Sequence, residues 1–195
     1  ALHNDEFQMR TFNKIGFLAL ALMVGMIFGT AKVQGTAIDY DYDYGMHGDS
    51  FEMTRDTYCM ALNIYHESRS ENLAGKFAVA DVVMNRVNDR RYPNNICTVI
   101  YEAEMKPSWR DPEVLVPARN RCQFSWYCDG KSDEPTETDA WNESILVAHQ
   151  SIYEGRMQGL TEGATHYHTV YIEPYWASSL DLIGHIGSHI FYREN

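Results

Sequence analysis

The sequence has few basic residues for its size. Its 195 residues include 16 Lys and Arg against 27 Asp and Glu, which gives a formal net charge of −11 at pH 7. Proteins that bind nucleic acid need Lys and Arg for their phosphate contacts. The charge balance therefore predicts that nucleic acid is not a partner.

The chain also lacks complete versions of three metal-binding motifs. No two of its four cysteines have the Cys-x-x-Cys spacing of common zinc sites. His66 and Glu67 begin like His-Glu-x-x-His, but residue 70 is a serine. Residues 39–45 alternate Asp and Tyr before a glycine, yet a calcium loop needs a glutamate at its twelfth position, where this chain has Ser50. These features predict no resident metal or other cofactor.

No internal repeat is visible, but the composition changes near the N-terminus. Residues 15–31 are uncharged and mostly apolar, and Arg10 and Lys14 precede them. This length is at the lower edge of a membrane-spanning helix, and the preceding positive charges predict a cytoplasmic N-terminus. A cleavable signal with a small-residue site at 35–37 is the alternative. We predict a cytoplasmic segment at 1–14, a transmembrane signal anchor at 15–33, an acidic linker at 34–50 and a folded domain at 51–195.

The four cysteines agree with export, because disulfides persist in oxidising compartments. They allow three pairings. We favour a Cys59–Cys97 bond, which would restrict a long loop of the unfolded chain, and a Cys122–Cys128 bond, which would close a short loop. Four buried free thiols are the alternative.

Three segments have the apolar spacing of helices. The first follows Thr54, which is a predicted N-cap, and the second and third cover residues 73–87 and about 138–155. Residues 102–137 have no sustained period and are predicted to be loops that frame a cleft, whereas 165–171 alternate like a short strand. The sequence therefore predicts a mainly α single domain with a small β element.

Glu67 is the leading catalytic candidate. Tyr65 is the last residue of the apolar stripe of the first helix, and Glu67 lies two residues later, off that stripe. The helix can therefore be anchored in a core while the Glu67 carboxylate faces a cleft. Burial beside aromatic rings raises the pKa of a glutamate and makes it a general acid. A solvated surface glutamate has the same spacing, so the pattern alone leaves both interpretations open. Asp81, inside the second helix, is predicted to be a hydrogen-bonded structural carboxylate.

Six blocks between about Arg55 and Tyr192 resemble, in order, the cell-wall hydrolase family typified by the spore cortex-lytic enzymes. They are 65–71 (YHESRSE), 79–87 (VADVVMNRV), 92–94 (YPN), 123–126 (QFSW), 164–168 (ATHYH) and 186–191 (IGSHIF). Ser68 and Ser70 stand where that family has Ala and Gly. A backbone with positive φ at residue 70 would suit serine poorly.

The resemblance implies a lysozyme-like catalytic domain that cleaves the MurNAc–GlcNAc strand of peptidoglycan, with Glu67 as general acid and base. Glycosidases use a second carboxylate. Glu71, one helical turn away, is the first candidate, although a structural role suits it better. A lytic transglycosylase is therefore favoured over a hydrolytic muramidase or glucosaminidase. The residues predicted to contact substrate are Gln123, Phe124, Tyr167, His168 and Trp176.

Two other functions remain open. His166 and His168 on a strand, with His185 and His189 on one face of a helix, would suit a zinc amidase or peptidase that cuts the peptide stems. The chain could also be a non-catalytic envelope or virion component.

The anchor and single catalytic domain favour an exported, membrane-anchored enzyme with its domain in the periplasm or outside the cytoplasm. This arrangement suits a phage enzyme of lysis or infection. The negative net charge favours a thin peptidoglycan layer over a heavily anionic wall.

Overall fold

The computed structural model describes residues 53–194, so the predicted N-terminal segment, membrane anchor and linker lie outside the described residues. None of the helices in the described range is long and apolar enough to cross a membrane. The elements in chain order are α1 (Arg55–Ser68), α2 (Leu73–Asn88), α3 (Ile96–Ile100), β1 (Ala103–Pro107), β2 (Leu115–Cys122), a 3-10 helix (Ser125–Cys128), α4 (Thr138–Tyr153), β3 (His166–Thr169), a second 3-10 helix (Ala177–Ser179), β4 (Asp181–Ile186) and β5 (His189–Arg193).

Helix α1 forms the centre of the helical layer. Its predicted N-cap is confirmed, because the Thr54 side chain accepts a hydrogen bond from Thr57 N at 3.2 Å. The helix packs against α2, α3 and α4. It is buried on most sides, since Met60, Ala61 and Ile64 have no exposed surface. An element held this way presents its last turn in a fixed position.

Helix α2 is buried nearly all round, as its run of apolar residues predicts. Asn72 caps its start by accepting from Gly75 N at 2.9 Å. Asp81 accepts bonds from Gly159 N and Thr161 N, both at 2.9 Å, and from the Thr161 hydroxyl at 2.6 Å. The predicted structural role of Asp81 is therefore confirmed, because both of its carboxylate oxygens accept hydrogen bonds from the segment that follows α4.

The prediction of loops throughout 102–137 is wrong in part. Strands β1 and β2 form an antiparallel hairpin within it, and a 3-10 helix follows. Four of the five residues of β1 and four of the eight of β2 are exposed, and none of either strand is buried. A hairpin with water on both faces needs no apolar alternation, so its sequence carries no strand period.

The second sheet has three antiparallel strands in the order β3-β5-β4. Strand β3 agrees with the predicted strand at 165–171. The zinc interpretation assumed a helix at 185–189. That prediction is wrong, because His185 lies in β4 and His189 in β5, on either side of a turn. Gly187 in that turn has a φ of 60°, which glycine adopts readily and which a helix excludes.

The described domain is therefore a mixed α+β unit, as predicted. The buried side chains form two groups, of which the first fills the space between the helices and the second joins α2 to the central strand β5. They are Met60, Ile64, Phe77, Val83, Val99, Ile100 and Val147 in the first and Ala78, Val82, Ala164 and Phe191 in the second.

Candidate active site

Glu67 lies in the last turn of α1, where the helix emerges from the core. Its side chain is neither fully buried nor freely exposed. Ser68, beside it, is buried and donates to Ile64 O at 2.9 Å. Ser70 is not among the described residues with positive φ, so this backbone accepts the serines that replace the small family residues.

The end of α1 is braced from a neighbouring segment. Trp126 Nε1 donates to Asn63 Oδ1 at 3.0 Å, and the His66 ring stacks on Trp126 with 4.7 Å between centroids. His66 Nε2 also bonds Asp133 O at 2.9 Å. The residues on both sides of Glu67 are therefore fixed, which limits the movement of the carboxylate.

Tyr167 on β3 contacts Glu67 directly. Its hydroxyl donates to Glu67 Oε2 at 3.1 Å. The ring packs on Phe191, with centroids 5.6 Å apart, and meets the edge of His189 at 5.2 Å. Burial, together with the nearby Glu67 charge, raises the pKa of Tyr167 well above its usual value. Tyr167 is therefore a neutral hydrogen-bond donor throughout the physiological pH range.

Arg86 on α2 supplies positive charge behind this pair. Its Nε donates to Thr165 O at 2.8 Å, and its guanidinium lies over the rings of Tyr92 and Phe124 at 5.5 and 5.0 Å. The side chain is almost completely buried, and it interacts electrostatically with Glu67. A fixed buried cation of this kind favours the ionised form of a neighbouring carboxyl group.

The pKa of Glu67 reflects two opposing influences. Burial raises its pKa above the ordinary value for glutamate, whereas the Tyr167 hydrogen bond and the Arg86 charge limit that rise. The first influence favours the protonated acid and the others support the carboxylate after its proton has left. This combination suits a group that must donate a proton and then accept one.

Glu71 has a structural role in this arrangement. It accepts from Ser188 N at 3.0 Å, and the Ser188 hydroxyl also bonds it. Burial alone would raise the pKa of Glu71, but these bonds outweigh it and the pKa lies below the usual value. A Cβ at position 187 would overlap the Glu71 carboxylate, so Gly187 permits the close approach. Glu71 thus holds the β4–β5 turn against α2.

The other residues predicted to contact substrate lie in two places. Gln123 is exposed at the end of β2, and its backbone N donates to Glu102 O at 2.9 Å. Phe124 is buried beneath Arg86. Phe124 and Glu67 therefore have Arg86 as a common neighbour, and Gln123 precedes Phe124 in the chain.

His168 and Trp176 lie elsewhere. Successive residues of a strand face opposite sides of the sheet, so His168 faces away from Tyr167. Its Nε2 bonds the Tyr192 hydroxyl at 3.0 Å, and Trp176 packs against both rings with centroids 5.6 Å away. Substrate contact by His168 and Trp176 stays a prediction.

Sequence reasoning gave no site role to Arg86 or Glu102. Arg86 lies in the block at 79–87 that resembles the family, so the resemblance offered a signal for it. Glu102 precedes an exposed strand, and no motif or spacing in the sequence indicated it. Among the described residues, Arg86 Nη1 and Glu102 Oε2 are buried side-chain atoms without a hydrogen-bond partner. The two groups interact electrostatically, and such unpaired buried atoms are costly unless something else binds them.

The structure contains disulfides between Cys59 and Cys97 and between Cys122 and Cys128. The first joins α1 to α3, and the second joins the end of β2 to the following 3-10 helix. Both therefore constrain segments that carry or adjoin site residues. Between residues 53 and 194, no group of three or more His, Cys, Asp or Glu side chains is arranged to hold a metal ion.

A half-buried, hydrogen-bonded glutamate with a raised pKa is an arrangement typical of the general acids of enzymes. This chain belongs to the cell wall hydrolase family, whose model matches residues 70–192. The match begins just after Glu67, so it rests on the remainder of the domain.

Curated relatives and a solved structure are similar to parts of the chain. A spore cortex-lytic enzyme of Bacillus cereus is 45% identical over 61 residues, which are 31% of this chain and 24% of that protein. One of Halalkalibacterium halodurans is 43% identical over 47 residues, or 24% of this chain and 14% of that protein. The matched stretches thus span about a quarter or less of these relatives.

The solved catalytic domain of the germination-specific lytic transglycosylase SleB from Bacillus anthracis is 25% identical to this chain, with a TM-score of 0.52. The comparison covers 75% of this chain and 100% of that one. Because the whole of that catalytic domain is matched, the comparison agrees with a single mixed α+β domain in this chain.

Proposed function

We propose that this protein cleaves the MurNAc–GlcNAc strand of peptidoglycan through Glu67, in a lysozyme-like domain. The observation that carries the proposal is the environment of Glu67. Burial raises the pKa of its carboxyl group, and the neutral hydroxyl of Tyr167 donates a hydrogen bond to it. Membership of the cell wall hydrolase family supports this substrate class.

Bond cleavage begins with proton donation. The oxygen between two sugars leaves poorly until it is protonated, so a neutral carboxylic acid is needed at neutral pH. Tyr167 bonds Oε2 of Glu67, which leaves Oε1 to carry the proton. Transfer of this proton to the bridging oxygen breaks its bond to the muramyl C1, and Glu67 becomes a carboxylate stabilised by Tyr167 and Arg86.

The second step distinguishes two reactions. In a lytic transglycosylase, the muramyl C6 hydroxyl attacks C1 and gives its proton to the Glu67 carboxylate, which forms a 1,6-anhydro sugar and restores the acid. This route needs one carboxylate, and the hydrogen bonds that hold Glu71 argue against its use as a second. The name of the solved relative, a lytic transglycosylase, supports the same choice.

Hydrolysis is the second candidate, and one observation favours it. Glu102 has a buried oxygen with no partner among the described residues and interacts with Arg86, which also interacts with Glu67. A hydrolytic glycosidase uses a second carboxylate as base or nucleophile, and Glu102 is the candidate for that role. A zinc amidase is less well supported, because His168 bonds Tyr192 and His189 packs on Tyr167.

Mass spectrometry of the muropeptides released by the 195-residue chain tests the proposal. We expect fragments that end in 1,6-anhydromuramic acid, because the C6 hydroxyl replaces water. Reducing-end sugars that disappear in Glu102→Gln would establish hydrolysis instead. Cleaved peptide stems with intact glycan would overturn the proposal, and no release from any peptidoglycan would favour a non-catalytic component.

The pH dependence of kcat/KM tests the roles of Glu67 and Tyr167. Because the acid must be protonated, activity should fall as pH rises through the raised pKa of Glu67. Tyr167→Phe removes a hydrogen bond that lowers this pKa, so the alkaline limb should move to higher pH. We expect Tyr192→Phe, which removes a hydroxyl from the neighbouring strand, to leave it in place. A limb that stays fixed or moves to lower pH in Tyr167→Phe would contradict this assignment.

We also propose that the domain works outside the cytoplasm, attached through the anchor predicted at 15–33. The two disulfides support an oxidising compartment. Peptidoglycan and the membrane would then be its partners, and an enzyme of phage lysis or infection would fit this arrangement.

A further inference from the structure

A second feature lies beyond Glu67, where the ends of β1 and β2 face the segment that follows β3. It is a groove of about 680 Å³, within the range of roughly 300–1,000 Å³ common for ligand sites. Its side chains include Glu102, Glu104, Arg121, Gln123 and Tyr175. The groove therefore combines one aromatic ring with several hydrogen-bonding groups.

Tyr175 is the unusual member of this set. Its side chain is 95% exposed, whereas Phe77 and Phe191 in the core are almost completely buried. A large aromatic side chain left in water contributes little to folding, because burial is the source of its stabilisation. The ring is thus available to a ligand.

The backbone that carries Tyr175 is well fixed. Val170 N donates to Ser188 O at 2.8 Å, and Ala177 N donates to Pro174 O at 3.1 Å. The neighbouring Trp176 packs on Tyr192 with centroids 5.6 Å apart. Because the backbone is already ordered, binding of a ligand needs to fix only the side-chain torsions of Tyr175.

The groove also adjoins the proposed catalytic group. Glu67 is not one of its lining residues, but Arg86 connects the two places. The Arg86 guanidinium lies over Phe124, next to Gln123 in the groove. It also interacts with both Glu67 and Glu102. Arg86 is therefore a shared neighbour of Glu67 and of the groove.

The charges in the groove select among sugars. Glu102 and Glu104 provide two carboxylates and Arg121 provides one cation, 3.9 Å from Glu104. Glu102 interacts with the buried Arg86, so both cations near the groove already have a carboxylate beside them and attract a further anion only weakly. Of the two peptidoglycan sugars, GlcNAc is neutral, whereas MurNAc carries a lactyl group with an anionic peptide stem. The groove therefore fits GlcNAc better.

We propose that this groove is a GlcNAc subsite in which Tyr175 stacks on the apolar face of the sugar and Gln123 bonds its polar substituents. The inference rests on the proposed function, since it takes the glycan strand as the ligand. Tyr175 and Gln123 bind and orient the strand here, while proton transfer stays with Glu67.

The test measures binding of chitotetraose, a neutral GlcNAc tetramer, to the 195-residue Glu67→Gln protein by calorimetry. Adding Tyr175→Ala should weaken binding about tenfold, which is the scale of an aromatic stacking contact. Tyr175→Trp should restore it. Tyr171→Ala is the matched control, because Tyr171 is also highly exposed on this segment and does not line the groove. It should leave the affinity unchanged.

The outcomes separate this inference from the proposed function. Failure of Glu67→Gln protein to bind the tetramer, or equal affinities for the two Tyr→Ala variants, would overturn the subsite. Cleavage of peptidoglycan by the parent chain in either case would leave the proposed function intact. Selective loss with Tyr175→Ala would support the subsite even where product analysis rejected cleavage of the glycan.

Discussion

Replacing Glu67 with glutamine should lower kcat for peptidoglycan cleavage by about 100- to 10,000-fold, the usual contribution of general acid–base catalysis. Glutamine preserves the shape and accepts the bond from Tyr167, but it has no proton to donate at neutral pH. The measurement is the rate of muropeptide release at saturating substrate. Glu137→Gln is the control, because Glu137 is an exposed partner of Arg69 near the same helix, and it should retain its rate. Near-normal turnover in Glu67→Gln would eliminate Glu67 as the acid.

The same substitution should stabilise the fold at neutral pH. Since the pKa of Glu67 is raised in the folded state, the folded protein binds its proton more tightly than the unfolded chain does. Stability from this group is complete below the unfolded pKa and is lost as pH rises through the folded value. The melting temperature of Glu67→Gln should match wild type in acid and exceed it at higher pH. A match in acid with a lower melting temperature at higher pH would mean that the ionised carboxylate supports the fold.

Removing the Cys59–Cys97 disulfide should cause a large loss of stability. The bond spans 38 residues, and the entropy of closing such a loop corresponds to about 4 kcal/mol. The Cys59→Ala and Cys97→Ala double variant should therefore melt roughly 10 °C below wild type. This bond tethers α1, which carries Glu67. The temperature at which the enzyme loses activity should therefore fall by the same amount as the melting temperature.

The second disulfide provides an internal control for that prediction. It spans 6 residues, so the same model gives a loss of about 2 kcal/mol for the Cys122→Ala and Cys128→Ala double variant. Differential scanning calorimetry of both double variants compares the two losses. Equal melting temperatures would show that loop closure does not determine the contribution of the longer bond.

Local patterns were sufficient for the three long helices, whereas the short helix α3 was not predicted. The apolar spacing and the Thr54 cap predicted α1, and the repeats at 73–87 and 138–155 predicted α2 and α4, because a helix that packs on a core must repeat its buried face. The hairpin of β1 and β2 escaped prediction since water contacts both of its faces. The β4–β5 turn was mistaken for a helix, because His185 and His189 have a spacing that both structures allow.

The candidate site was predictable only in part, for a related reason. Glu67 and Tyr167 come from blocks that the sequence makes recognisable, but 100 residues separate them, and nothing local indicates that they touch. His168 follows Tyr167 directly and faces the other side of the sheet. Arg86 and Glu102 acquire their importance from burial beside each other, which no spacing along the chain expresses.

The sequence by itself therefore determined the three long helices, the mixed α+β class, the family resemblance and the choice of Glu67 as the candidate acid, because each depends on residue type and local spacing. The tertiary structure decided which groups surround Glu67, that Glu71 supports a turn, and that Tyr175 faces a polar groove. Those facts depend on contacts between distant segments. The pKa of a carboxyl group depends on the burial and charges that such contacts create.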